Sequence, residues 1–106
     1  MGRKQIKEYI GQYIARLKQD LSSCKVILYG SLLKGNYQPG KSDIDLLVIS
    51  EDFKNMHEDD RFDLLYKKTV GLPLDWHIYG FTSEEIKKIS HLTTLSEALK
   101  YGKTIS

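Results

Sequence analysis

Residues 29–50 constrain the fold more than any other part of the chain: Y-G-S-L-L-K-G-N-Y-Q-P-G-K-S-D-I-D-L-L-V-I-S. An apolar run, Val26-Ile27-Leu28-Tyr29, stops at Gly30-Ser31. A loop with Gly35, Asn36, Pro39 and Gly40 follows, and then Asp43 and Asp45 open a second apolar run, Leu46-Leu47-Val48-Ile49. Side chains of a strand alternate faces with a period of two. Asp43 and Asp45 therefore share a face with Leu47 and Ile49, while Ile44, Leu46 and Val48 take the other. Both faces are apolar beyond the aspartates, the pattern of a central strand covered on both sides. Two carboxylates side by side at the mouth of such a strand repel each other, and a cation between them relieves the repulsion. Hard divalent cations take oxygen ligands, and Mg2+ binds through one or two carboxylates plus substrate phosphates. Gly30-Ser31 suits the phosphate half of that picture. A strand that ends in Gly-Ser and turns into a helix presents free backbone N–H groups and a hydroxyl to an anion.

The rest of the composition narrows the class. At 106 residues the chain is expected to form one domain, residues 1–106, with enough surface to bury for one core. Formal net charge is +2, and no long basic run or Lys-aromatic stripe is present, so strong nonspecific nucleic-acid binding is not expected. Cys24 is the one cysteine, which excludes an internal disulfide. Beside a strand it reads as a small buried residue rather than a nucleophile. No apolar run approaches membrane-spanning length and no signal-peptide core is visible, so a soluble, cytoplasmic protein is expected.

Elsewhere the periodicity predicts a helix over Arg3–Leu21, with Ile6, Ile10, Ile14, Leu17 and Leu21 on one stripe. Tyr9 and Tyr13 lie beside it and either widen the core face or belong to a partner surface. Strands are expected at Lys25–Tyr29, Ile44–Ile49 and Leu74–Phe81, and a helical turn at Ser31–Lys34 closed by Gly35. Glu58-Asp59-Asp60 resembles a ligand cluster but reads better as the solvated first turn of a helix, where acids complement the dipole. Phe62, Leu65 and Tyr66 give that helix its apolar face. Thr82 with Glu85 is a capping box for a helix carrying Ile86, Ile89 and Leu92. Thr94 with Glu97 repeats the signal before Leu95, Ala98, Leu99 and Tyr101, with Gly102 as the stop. Tyr37 reads as an exposed loop tyrosine, with stacking on a nucleobase as the alternative. The alternatives for Lys34 and Lys41 are solvation and contact with phosphate oxygens.

For Gly30-Ser31 to lie beside Asp43 and Asp45, the first two strands must run antiparallel. Asp75 starts the third strand and reaches the pair only if that strand runs parallel to the second. Such a crossover needs a dozen or more residues and usually a helix, which Glu51–Leu72 supplies. The expected fold is α/β (α+β): a small mixed sheet with helices in the order α-β-α-β-α-β-α-α. Asp75 alone would read as a turn cap; with the upstream motif it reads as a third carboxylate of one site. His77 follows on the same face and reads as packed between strand and helix, with contact to the site or to a partner as the alternative.

Gly30-Ser31, Lys34-Gly35 and Ser42-Asp43-Ile44-Asp45-Leu46-Leu47-Val48 resemble the signature of the polymerase β-type nucleotidyltransferases: Gly-Ser, about a dozen residues, then Asp-x-Asp. The likeness spans about residues 6–105 and is nearest to the minimal nucleotidyltransferases, often the antitoxin beside a HEPN-domain toxin. Lys34 stands where that family usually has Arg, and the gap is about one residue longer, around Gln38-Pro39-Gly40-Lys41. The resemblance implies the nucleotidyltransferase fold and Mg2+-dependent transfer of AMP from ATP to a tyrosine of a HEPN toxin. It implies that Asp43, Asp45 and Asp75 are catalytic and hold two metal ions, and that Gly30, Ser31, Lys34 and Lys41 hold the nucleotide. No residues are left over for an acceptor-binding domain, so a partner or a second copy would complete the site. A contact-only antitoxin and a transferase acting on a small molecule are the other readings. The carboxylates weigh against the former and the missing acceptor domain against the latter.

Overall fold

The computed structural model of the chain describes residues 2–89 and 95–106. A four-stranded sheet has the order β3-β2-β1-β4. Helix α1 (Arg3–Asp20) leads into β1 (Lys25–Tyr29), and α2 (Ser31–Lys34) follows at once. Strand β2 (Ile44–Ile49), a 3-10 turn (Glu51–Asn55) and α3 (Glu58–Lys67) lead to β3 (Trp76–Phe81). The chain continues through α4 (Ser83–Ile89), α5 (Leu95–Tyr101) and β4 (Lys103–Thr104). β1 and β2 are antiparallel, with Tyr29 opposite Asp45, and β2 and β3 are parallel, with Asp45 opposite His77. Both orientations are those required to bring Gly30, Asp43, Asp45 and Asp75 to one end of the sheet.

Strand β2 is covered on both faces. On one, Ile44, Leu46 and Val48 pack with the α1 stripe of Ile6, Ile10, Tyr13 and Leu17, with Phe53 and with Leu65 of α3. On the other, Leu47 and Ile27 pack with Leu95 and Ala98 of α5, and Ile86 of α4 leans on them. Tyr13 belongs to the core: its side chain is fully buried and its hydroxyl donates to the Leu65 carbonyl at 2.9 Å. The α1 face was therefore widened rather than left for a partner at that position. Gly80 lets α3 settle onto β3, since a Cβ there would stand 2.7 Å from Leu65 Cδ1.

Several expectations need correction. Strand β3 starts at Trp76 rather than Leu74, because the Leu74 N–H is turned back onto the Leu72 carbonyl at 2.8 Å instead of joining a ladder. Phe62 is 57% exposed and Tyr101 67% exposed, so neither is a core residue of its helix. The aromatic spacing in α3 instead stacks Phe62 on Tyr66, ring centroids 4.4 Å apart. Cys24 is half-buried, and burial pushes its thiol up, which opposes thiolate formation. The element order gains the 3-10 turn and the short β4, which pairs antiparallel with β1. The Thr82–Glu85 box forms as expected: Thr82 N–H donates to Glu85 Oε1 at 2.8 Å, and Glu85 N–H to Thr82 Oγ1 at 3.2 Å. Leu92 and Thr94 lie outside the described residues. Among the described residues no helix is long and apolar enough to cross a membrane.

Strand β3 is an edge of the sheet. Its outward backbone groups are partly answered by one side chain of α3. The Tyr66 hydroxyl accepts from Ile78 N–H at 2.9 Å and lies 3.5 Å from the Trp76 carbonyl, to which it donates.

Candidate active site

Strand β1 ends where Gly30 adopts φ 77°, a left-handed value that glycine reaches without strain. The position also has no room for a side chain, because a Cβ there would overlap the Asp45 carboxylate at Oδ2. The Asp45 carboxylate thus lies directly against the backbone of the Gly30-Ser31 turn. Ser31 is the first residue of α2 and half-buried. Gly35, φ 84°, ends α2: its N–H donates to Leu32 O at 3.3 Å and Asn36 N–H to Ser31 O at 3.1 Å. Those are the paired bonds of a Schellman stop.

The loop back to β2 is tied by its own bonds. Lys41 N–H donates to Gln38 O at 3.0 Å, with Pro39 second and Gly40, φ 78°, third in the turn. Pro then Gly at those places is the type II pattern. Ser42 adds a second tie, donating N–H to Gln38 O at 2.8 Å and accepting Gln38 N–H at its hydroxyl at 3.1 Å. The extra length noted around Gln38–Lys41 is thereby taken up in a tight turn, which delivers Asp43 to the mouth of β2.

Asp43 is exposed and Asp45 half-buried. Asp75 is exposed too, one residue ahead of β3. The parallel ladder still reaches it, through Ile44 N–H donating to Asp75 O at 2.7 Å. Tyr37 marks the same corner. Burial, then the charges of Asp75 and Asp43, push its phenol up. It is half-buried and packs on the α1 side of the core, which corrects the expectation of an exposed loop tyrosine. Tyr37, Pro39, Gly40, Leu74 and Asp75 line a groove of about 340 Å3. Lys34 and Lys41 are exposed, at the end of α2 and in the Gln38–Lys41 turn.

His77 was expected to pack between strand and helix. Its side chain is instead 44% exposed, and its Nδ1 lies 3.1 Å from Asp45 Oδ1. The parallel register, Asp45 opposite His77, carries this contact; spacing within one strand could not show it. Beneath, burial and the neighbouring Asp45 charge push the Tyr29 phenol up, keeping it neutral. Asp45 therefore has a defined seat, held by His77 on one oxygen and the glycine turn at the other.

The donor set fits a hard cation: oxygen ligands at the mouths of two parallel strands, beside a turn suited to phosphate. It is not a closed protein cage. Among the described residues no three His, Cys, Asp or Glu side chains converge closely enough to hold a metal ion by themselves. A site of that kind relies on substrate phosphates for remaining ligands, as Mg2+ sites commonly do.

A family model described as a nucleotidyltransferase domain matches residues 10–104. Two solved structures are similar. One, provisionally named a nucleotidyltransferase, is from Sulfolobus solfataricus; it is 20% identical, covers 83% of this chain and 82% of its own, and has a TM-score of 0.57. The other carries the same provisional name, is 24% identical, covers 97% and 96%, and has a TM-score of 0.56. At these identities the two structures speak for the fold. No protein of curated function matches the chain. With its family match spanning nearly the whole chain, the protein belongs to the nucleotidyltransferase domain family.

Proposed function

We propose that the protein is a minimal nucleotidyltransferase that acts as an antitoxin in the cytoplasm, moving AMP from ATP to a tyrosine of a HEPN-domain toxin. The single observation that carries the catalytic part is the contact of Asp45 with the Gly30 backbone. A carboxylate pressed against a phosphate-type turn is a liability without a cation and a working arrangement with one. Asp43, Asp45 and Asp75 would hold Mg2+, which supplies neutralisation of the triphosphate charge and of the leaving pyrophosphate. The Gly30 and Ser31 turn holds the terminal phosphates, with Lys34 and Lys41 as exposed cations nearby in sequence. Asp75, beside the Tyr37 groove, accepts the proton of the incoming hydroxyl. The groove, about 340 Å3 and open to solvent, receives the acceptor side chain. The remaining contribution is positioning, which alone lowers barriers substantially when reacting groups are held near attack geometry.

The test mixes the protein, ATP, Mg2+ and the toxin encoded beside it, then weighs the toxin by intact mass spectrometry. A gain of one AMP that vanishes in Asp45→Asn is the expected result. Equal neutralisation by wild type and Asp45→Asn with no mass change would establish a contact-only antitoxin. Modification of a small molecule with the toxin untouched would establish the third class.

A further inference from the structure

On the α1 side of the sheet, away from the carboxylates, a groove of about 350 Å3 runs between α1, α2 and the β1–β4 edge. Its floor is apolar, from Ile10, Ile14, Leu28, Leu32 and Leu33, and its rim carries Arg3, Lys7 and Lys103. All three cations are exposed, and no ion pair of the described residues uses them. Gly11 also lines the groove. It sits inside α1, where glycine is unfavourable relative to alanine. A Cβ at Gly11 would meet nothing within 4 Å, so packing within the chain does not require glycine. The room beside it is open to another molecule.

The complementary surface is on α3 of the same chain. Phe62 is 57% exposed, and Glu58 and Asp59 lie one turn earlier on its side of the helix, with Asp63 adjacent. These acids are exposed and make no ion pair among the described residues. One face is thus an apolar groove rimmed by cations, and another is an aromatic knob ringed by carboxylates. We propose that two copies of the chain pair by seating Phe62 of each in the Gly11 groove of the other, with Asp59 and Asp63 meeting Arg3, Lys7 and Lys103. Both surfaces belong to helices on the same side of the sheet, and the contact is used twice under two-fold symmetry. The pairing involves none of the carboxylates assigned to transfer, so it stands or falls separately from that reading.

Sedimentation equilibrium of the full chain tests it. A monomer–dimer equilibrium that weakens with added salt is expected. Phe62→Ala, Lys7→Glu and Asp63→Lys each weaken the dimer by about tenfold or more. All three alter exposed side chains, and a circular dichroism melt confirms that each variant folds. Mixed in equal amounts, Lys7→Glu and Asp63→Lys form a heterodimer in which both contacts are complementary, and association returns to near the wild-type strength. Gly11→Ala raises the melting temperature of the dilute protein while weakening the dimer. A monomer at every concentration, growth beyond the dimer, or failure of the two charge variants to pair would overturn the proposal.

Discussion

Glycine at position 30 answers two demands at once, a left-handed φ and an absent side chain against Asp45. Gly30→Ala is therefore expected to abolish nucleotide transfer and to cost about 1–3 kcal/mol of stability, the usual range for a residue forced into that region. Thermal melting beside a transfer assay checks both, and full activity in a folded variant would show that the turn tolerates the displaced carboxylate. His77 works on the opposite oxygen of Asp45. His77→Ala leaves the fold standing, because the ring is part exposed, but frees Asp45 to rotate. Mn2+ binding measured with ATP should weaken, and His77→Asn should recover part of it by offering a short polar side chain. Much of this was legible in residues 29–50: Gly30, Ser31 and the two aspartates carry a chemical pattern in one stretch. The roles of His77 and Tyr37 were not, because both arise from neighbours supplied by another strand or loop.

At the level of elements, local signals were the most readable. The Thr82–Glu85 box forms, and Glu85 is shared further with buried Arg61, whose Nη1 lies 2.6 Å from Glu85 Oε1. The hydrogen bond from Arg61, then the cap, holds the Glu85 carboxyl below the usual glutamate range. A carboxylate whose folded value is depressed stabilises the fold above its unfolded value, and that contribution is lost as pH falls through the folded one. The melting temperature should therefore fall more steeply with acidification in wild type than in Glu85→Gln, which has nothing left to titrate at that position. Parallel slopes would mean the pair contributes nothing to the pH dependence. β4 went unread for a physical reason. Lys103 and Thr104 are two exposed residues, too few to show a period, and they become a strand only because β1 lies beside them.

For the whole molecule, the sheet is closed on both faces by helices, so stability is shared between two apolar clusters joined through β2. The seam on the β1 side depends on the last residues: Ile105 N–H donates to Val26 O at 2.9 Å, and Ser106 Oγ accepts from Val26 N–H at 2.8 Å. Ile105→Pro removes the donor and should cost roughly 1–3 kcal/mol, the penalty of an unsatisfied buried carbonyl; urea unfolding measures it. A midpoint matching wild type would show that water satisfies Val26 equally well. Strand directions followed from the sequence once Gly30-Ser31, Asp43, Asp45 and Asp75 were read as neighbours at one end of the sheet, and the antiparallel β1–β2 and parallel β2–β3 pairings agree with that reading. The side of the sheet on which each helix lies did not follow, since both faces of β2 are equally apolar.

The Tyr66 hydroxyl has a consequence for how the protein behaves in a crowd. Strand β3 runs Trp-His-Ile-Tyr-Gly-Phe with no acidic or lysine residue to repel a neighbour, and an unprotected edge of that composition is a template for cross-β growth. One phenolic oxygen stands where an intruding chain would have to bond to Ile78 and Trp76. Tyr66→Phe keeps the ring and its stacking on Phe62 but removes that guard. Its expected phenotype is a shorter lag before thioflavin-positive fibres form under mild heating, with little change in activity before they appear.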